Sequence, residues 1–493
     1  MPITASMLYD LVQCPHRVGM DAFSDLATRD PVSPFVELLW ERGATFERET
    51  IANLSLPFLD LSTLPPAERE ARTLDAMRRS EPLIYAGRVT VDDLVGVPDL
   101  LRRDGEHYVP GDIKSGAGEE GPDDNRSLKK HYAVQLALYV DILERKGVSA
   151  GRHAFVWDVH GDEVHYDLAL PQGVRTPETW WDAYQRHLQQ ARAILAHTEP
   201  TLPASASICK QCHWRSVCTA QLEASNDLTL IPELGRSKRD VMVAEIATVR
   251  ALAESQLAAF MRGKQTLFTG IGPDTLEKFQ RRARLLCDEH AVPYLTHPIS
   301  LPDANRELFF DIEVDPMRDV CYLHGFVERV EGNNARERYV AFYADQPEAR
   351  DEEAAFAQAW AFVQRSTPCA IYYYSPYERT HWKRLANKYP AVCSEAGVEA
   401  LFALPATIDL YTDIVRRSTE WPTRDHSIKT LAKFLGFRWR DTEPSGATSI
   451  EWYHRWVQGG DVAVKQRLLE YNEDDCRATR VLLEGLRRLA VRR

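Results

Sequence analysis

GVPDLLRRDGEHYVPGDIKSG, residues 96–116, spans two strand-like runs, VGVPDLLRR, which begins at Val95, and HYVPGDIKS. Asp99 closes the first run, and Asp112 and Lys114 stand two apart on the second. Alternate residues of a strand face the same side, so Asp112 and Lys114 project together while Ile113 turns into the core. Two carboxylates and an ammonium group thereby converge. Carboxylates can hold Mg²⁺, which lowers the pKa of a bound water, and a lysine can position that water or a phosphate. Asp-x-Lys is common by chance, so taken alone a surface strand pair is the preferred reading.

Working outward, Glu47 in ERGATFERE lies on a helical stretch, Phe35–Asn53, and offers a further carboxylate. Gln135 and Tyr139 are four apart on an amphipathic stretch, Ser127–Arg145, and share one face, which could equally be solvated. The ordered series Glu47, Pro98-Asp99, Asp112-Ile113-Lys114 and Gln135-x-x-x-Tyr139 resembles the PD-(D/E)XK nucleases of the RecB type. That resemblance covers roughly residues 1–220 and implies a restriction-endonuclease-like α/β domain. Glu47, Asp99 and Asp112 would then be Mg²⁺ or Mn²⁺ ligands, and Lys114, Gln135 and Tyr139 catalytic residues. Many relatives carry His at the position of Glu47 and Glu at that of Asp112; both exchanges keep an oxygen ligand here.

Cys209-Lys-Gln-Cys212-His-Trp-Arg-Ser-Val-Cys218 supplies three thiols, and either His213 or a distant Cys must complete a four-ligand site. Spacing alone separates neither zinc from iron–sulfur nor one fourth ligand from the other. The iron–sulfur nucleases of the RecB and AddB type and of CRISPR adaptation place one Cys before the fold and three after it. The resemblance to them implies a [4Fe–4S] cluster on Cys14, Cys209, Cys212 and Cys218. Cys287, Cys321, Cys369, Cys393 and Cys476 are scattered and read as small buried residues.

LFFDIEVDP, residues 308–316, reads as a buried strand with Asp311 and Glu313 on one face and Phe310 and Ile312 on the other. Alternating acids inside an apolar run are costly without a metal or water to receive them. Glu378, where YYYSPYERTHWKRL passes from strand to helix, and Asp475, on a last helix from about Val462 to Leu489, can join them. Tyr471 lies one turn before Asp475 on the same face, whereas Asp474 reads as solvated. In order, Asp311-x-Glu313, Glu378 and Tyr471-x-x-x-Asp475 resemble the DEDD exonucleases of the RNase H-like fold, in the subgroup with Tyr in the last motif. The flanking IDLYTDIV, SIKTLAKFLGF and SGATSIEWYHRW look like the YprB-type branch. Glu378 stands where that family usually has Asp. The resemblance spans about residues 305–490 and implies hydrolysis with two Mg²⁺ or Mn²⁺ ions on Asp311, Glu313, Glu378 and Asp475, Tyr471 orienting the water.

Between these units, residues 226–300 read as short helices with no convincing strand. LIPELGRSK and TGIGPDTLEK each present a Gly-containing turn before a helix, and Ile271-Gly272-Pro273 resembles helix-hairpin-helix elements. Gly270, Gly272, Lys238 and Lys278 are therefore nucleic-acid-binding candidates, although a plain helical linker fits nearly as well. The expected organisation is two α/β domains and a connector: a restriction-endonuclease-like nuclease domain over 1–225, a helical connector over 226–300 and an RNase H-like exonuclease domain over 301–493.

The totals agree with a soluble globular chain of 493 residues, 44% hydrophobic and 27% charged. No run is apolar enough to span a bilayer, and the start lacks a secretion signal, so the location expected is cytoplasmic without a membrane partner. A net charge of −12 argues against indiscriminate wrapping of nucleic acid, yet metal-holding carboxylates contribute to it. The combined reading is a metal-dependent nuclease acting on nucleic acid, DNA before RNA. No Walker-type phosphate loop occurs, so unwinding would come from a helicase or another repair or CRISPR partner. The competing reading is a DNA-binding or scaffold subunit of such a complex with one centre inactive.

Overall fold

A computed structural model describes residues 1–121, 126–173, 177–442 and 445–492. The chain divides into two compact units, Met1–Pro203 with Ser207–Cys218, and Ala204–Ala206 with Thr219–Arg493.

The first unit is built on a six-stranded sheet whose spatial order is Glu163–Asp167, His153–Trp157, His107–Ile113, Leu100–Asp104, Leu83–Tyr85 and Leu59–Asp60. Strand His107–Ile113 sits in the middle, antiparallel to Leu100–Asp104 and parallel to His153–Trp157. Both of its faces are covered, so every residue from Tyr108 to Ile113 is buried. Gly111 lets the neighbouring strand close: a Cβ there would come within 2.3 Å of the Phe155 ring. One face carries helix Lys130–Arg145, buried continuously from Tyr132 to Leu143 between the sheet and helices Ala5–Gln13 and Trp180–Leu195. The opposite face packs Ile113, Val109 and Phe155 with Ile51 and Phe46 of helix Pro34–Ala52.

The run VGVPDLLRR is not continuous. It splits into Leu94–Gly96, in a small separate three-stranded sheet, and Leu100–Asp104, in the main one. Pro98 has no N–H for a ladder and breaks the pairing there, which leaves Asp99 in the gap between the two strands. Helix Lys130–Arg145 begins later than its amphipathic pattern suggests, because Ser127–Leu128 pairs with Glu119–Glu120.

The second unit contains a five-stranded sheet ordered Asn333–Tyr343, Val320–Val330, Arg306–Asp315, Ala370–Tyr373 and Thr407–Asp409. Its first three strands form an antiparallel meander, and the last two add in parallel. Along Arg306–Asp315 the side chains alternate. Leu308, Phe310, Ile312 and Val314 enter the core under helices Ala349–Ser366 and Tyr377–Lys388. Phe309 points to the opposite face, beneath the long final helix Val462–Leu486, and by the two-residue period so do Asp311 and Glu313. Gly325, opposite Asp311 on the next strand, admits that helix: a Cβ would meet the Asn472 side-chain oxygen at 1.6 Å.

Residues 219–300 have their own core, in which Leu222, Ile231, Leu252, Phe268, Leu276 and Phe279 pack together. They are not wholly helical. Met261–Arg262 pairs with Gln265–Thr266, and Tyr294–Leu295 pairs with Thr419–Glu420. Buried Arg282 ties this segment to the sheet-bearing part through Glu420, at 2.9 Å.

Candidate active sites

In the first unit the break at Pro98 and the strand that ends at Ile113 place two carboxylates side by side. The Ile113 N–H donates to Asp99 Oδ2 at 2.8 Å, and the Asp99 N–H donates to Asp112 Oδ1 at 3.4 Å. Lys114 Nζ lies 2.9 Å from Asp112 Oδ2. Glu47, from helix Pro34–Ala52, accepts a 2.8 Å hydrogen bond from Tyr85 on the same sheet. Burial, followed by the charge on Asp112, holds the Asp99 carboxyl well above the usual carboxylate range; Lys114 opposes the rise and Glu47 adds to it. All four groups thus share one electrostatic neighbourhood.

Gln135 and Tyr139 do not line a solvated face. Both are buried, Gln135 donates to the Tyr139 hydroxyl at 3.4 Å, and that hydroxyl donates to the Val97 carbonyl at 3.4 Å. The pair therefore supports the chain immediately before Pro98-Asp99. Tyr132, one turn before Gln135, was not singled out from sequence; Lys114 Nζ lies 5.5 Å from its ring centre.

The cysteine segment folds against the second helix, Pro15–Phe23. Cys14 sits at the junction of Ala5–Gln13 and Pro15–Phe23. The Cys212 N–H donates to the Cys209 carbonyl at 3.2 Å, and the Cys218 N–H to the Trp214 carbonyl at 2.9 Å. Burial raises the Cys212 thiol, and the thiols of Cys14 and Cys209 are close enough to contribute to that rise. His213 and Trp214 both reach Asp21, through Nε2 at 2.8 Å and Nε1 at 2.9 Å. Of the other cysteines, Cys321 and Cys476 are buried and Cys287, Cys369 and Cys393 half-buried.

In the second unit, oxygens of Asp311, Glu313 and Asp475 lie within 4.8 Å of one another. Oxygens ligating one Mg²⁺ at about 2.0–2.1 Å stand at most about 4.2 Å apart, so carboxylates already within 4.8 Å of one another need only a small inward shift to share such an ion. Every partner around it is a donor. Asn472 Nδ2 donates to Asp311 at 2.7 Å, Ser449 Oγ to Glu313 at 2.7 Å and Trp439 Nε1 to Asp475 at 2.7 Å. Lys429 Nζ donates to the Tyr471 hydroxyl at 2.5 Å, and that hydroxyl donates to Asp475. Glu378 is buried nearby. Among the described residues its Oε2 has no hydrogen-bond partner, and its charge is felt at Asp311, although it stands outside the compact trio.

Asn472, Ser449, Trp439 and Lys429 carried no signal in the sequence beyond their nearness to Tyr471 or to SIKTLAKF and SGATSIEW. Asp474 is buried rather than solvated, paired with Arg440 at 2.9 Å. Lys238 and Lys278 both turn to Glu233, on its carbonyl at 3.0 Å and its carboxylate at 2.9 Å respectively. Gly270 adopts a positive φ of 79°, and Gly272 caps helix Pro273–Cys287.

Burial raises the carboxyls of Asp311, Glu313 and Asp475, Glu313 to about 7; the charge of Asp475 adds to the rise of the first two, and that of Asp474 to the rise of Asp475. A folded value above the unfolded one means that the metal-free fold retains a proton the unfolded chain releases. The stability contributed by Glu313 is then full below about pH 4.5 and is lost as pH rises through about 7. The Tm of metal-free protein is expected to fall over that window, less steeply in Glu313→Gln, and Mn²⁺ added at pH 8 should raise it by several degrees. Scanning calorimetry from pH 4.5 to 8 decides this; equal slopes for wild type and Glu313→Gln would contradict it.

An acid cluster on one face of the central strand of a mixed five-stranded sheet, and an Asp-Asp-Lys set around the end of strand His107–Ile113 of a mixed six-stranded one, define two nuclease-like α/β units. A family model of the PD-(D/E)XK nuclease superfamily matches residues 32–219, and one of the RNase H superfamily matches residues 308–487. The chain carries a domain of each, and a nucleic-acid-hydrolysing function follows from both. No curated protein matches the chain. No helix among the described residues is long and apolar enough to cross a membrane.

Proposed function

We propose that the protein is a Mg²⁺- or Mn²⁺-dependent deoxyribonuclease with two separate centres, a RecB-type one in the first unit and a 3′–5′ exonuclease of the DEDD type in the second. The observation that carries this reading is the convergence of Asp311, Glu313 and Asp475, one half-buried and two buried acids supplied by a strand and a distant helix. Such a set is costly to bury unless a cation is received there. When bound, the divalent ion supplies an activated water and stabilises the attacking and leaving oxygens of a phosphodiester.

The chain's own residues do the remaining work. Asn472 and Ser449 fix the rotamers of Asp311 and Glu313, and Trp439 fixes Asp475. Burial raises the Tyr471 hydroxyl well above its ordinary value, so it stays protonated and orients the water through its oxygen rather than removing a proton. In the first unit, Glu47, Asp99 and Asp112 supply the metal-holding oxygens, and Lys114 supplies the ammonium that meets the water or phosphate.

Cys14, Cys209, Cys212 and Cys218 are read as the ligands of a [4Fe–4S] cluster. The nearness of the Cys14 thiol to Cys212, close enough to help raise it, favours Cys14 as the fourth ligand. Anaerobically purified protein is expected to be brown and to lose its broad absorbance on Cys212→Ser; colourless protein with stoichiometric zinc would overturn the cluster. The whole reading is tested by digesting end-labelled single- and double-stranded DNA and RNA with Mg²⁺ or Mn²⁺. Mononucleotide release from 3′ ends of DNA supports it, and no cleavage of any substrate rejects it.

A further inference from the structure

Lys429 is the one basic side chain that contacts both Tyr471 and Asp475 among the described residues. It lies on the short helix Ile428–Phe434, which is capped by Ser427 and anchored by buried Leu431 and Ala432. Its Nζ sits 2.5 Å from the Tyr471 hydroxyl and 3.9 Å from Asp475 Oδ2. Only a quarter of the side chain is exposed, so its charge is weakly screened by water and acts on the whole acid cluster. Its charge favours the ionised forms of Asp311, Glu313 and Asp475 alike.

We infer that Lys429 is a built-in counter-cation of the C-terminal centre: it compensates the three carboxylates before metal arrives, competes with the incoming metal, and holds the Tyr471 hydroxyl in place. This inference rests on the metal-site reading of Asp311, Glu313 and Asp475. Its logic is geometric. An ammonium that accepts no hydrogen bond can only donate, so its contact with Tyr471 leaves the phenol's own proton directed at Asp475. Tyr471 is thus fixed from both sides, and a residue that must orient a water has its oxygen placed before substrate binds. The cost of this arrangement is repulsion between Lys429 and a divalent ion bound to Asp475. Metal affinity is set lower than three carboxylates would otherwise give, in exchange for a positioned tyrosine and a tolerable metal-free fold.

The test uses the full-length protein in an Asp112→Asn background, which weakens the other candidate metal centre. Mn²⁺ binding is measured from the electron paramagnetic resonance signal of the unbound ion, and 3′-end release in single turnover at saturating Mn²⁺. Lys429→Met is expected to bind Mn²⁺ about tenfold more tightly and yet release nucleotide about tenfold more slowly. Lys429→Arg, which keeps the charge, is expected to stay within about twofold of the parent in Mn²⁺ affinity. Adding Lys429→Met to Tyr471→Phe should slow release no further, because the lysine acts through the phenol. Unchanged or weaker Mn²⁺ binding by Lys429→Met with a native circular dichroism spectrum overturns the counter-cation role. So does an Arg variant that binds Mn²⁺ as tightly as Lys429→Met. Losses that multiply in the double variant overturn the positioning of Tyr471. Failure of the underlying reading shows separately, as full Mn²⁺ binding retained by Asp311→Asn.

Discussion

Asp311→Asn is expected to lower 3′-end release by at least about 10³-fold, whereas Tyr471→Phe should lower it by about 10- to 100-fold. Asp311 and Glu313 leave the same strand face, and Asp311 feels the charges of Asp475, Glu313 and Glu378 in turn. Replacing it by an amide removes one negative charge and turns one ligand oxygen into a donor. That donor would face Asn472 Nδ2, now 2.7 Å from the Asp311 oxygen, so the amide must flip or the helix must shift. Metal binding and water activation fail together. Losing the Tyr471 hydroxyl removes one hydrogen bond to a charged or polarised group, worth about 1.5–3 kcal/mol. Single-turnover release from a 3′-labelled single strand in a Lys114→Ala background, with circular dichroism as the folding control, separates the two. Equal, modest losses would contradict the metal-holding role of Asp311, and unchanged release would move the activity elsewhere in the chain.

Lys114→Ala is expected to remove one nuclease activity by about 10²- to 10³-fold and to leave the other intact. The ammonium pairs with Asp112, which is 1% exposed, and sits beside Asp99, whose carboxyl burial and the charge on Asp112 hold well above the usual carboxylate range. Without Lys114 the two carboxyls repel with nothing between them, and one of them takes up a proton. The metal-holding charge therefore drops along with the positioned cation. Proton uptake also spares the fold most of the cost of an isolated buried charge, so the variant should remain folded. The readout is cleavage of internally labelled duplex, scored beside 3′-end release on the same preparation. Loss of both activities from folded protein would point to a single composite centre.

The sheets were readable because their strands obey simple periods. Phe310 and Ile312 against Asp311 and Glu313 announce a buried strand with one polar face, and LFFDIEV forms it. VGVPDLLRR misleads because the apolar count runs on through Pro98, while the missing N–H ends the ladder. Gln135 and Tyr139 illustrate a different blindness. Helical spacing tells which residues share a face, but only the wrapping of helices Ala5–Gln13 and Trp180–Leu195 around helix Lys130–Arg145 decides that this face is buried. Trp439 and Lys429 lie 36 to 46 residues before the Asp475 or Tyr471 that they touch, and Ser449 reaches Glu313 across 136 positions. Side-chain hydrogen bonds of that range leave no periodic trace. Cys14 stood out only through a family resemblance, since nothing in LYDLVQCPHR names a partner almost two hundred residues away.

The clasp of Asp21 by His213 and Trp214 joins positions 192 and 193 apart, and it sets a timetable for synthesis. At about 5–20 residues per second, the first two helices leave the ribosome some ten to forty seconds before the segment that locks them. Throughout that interval Asp21 is without its imidazole and indole partners and the Cys14 thiol is open to oxidants, so the opening helices stay exposed until the distal segment arrives to shelter them.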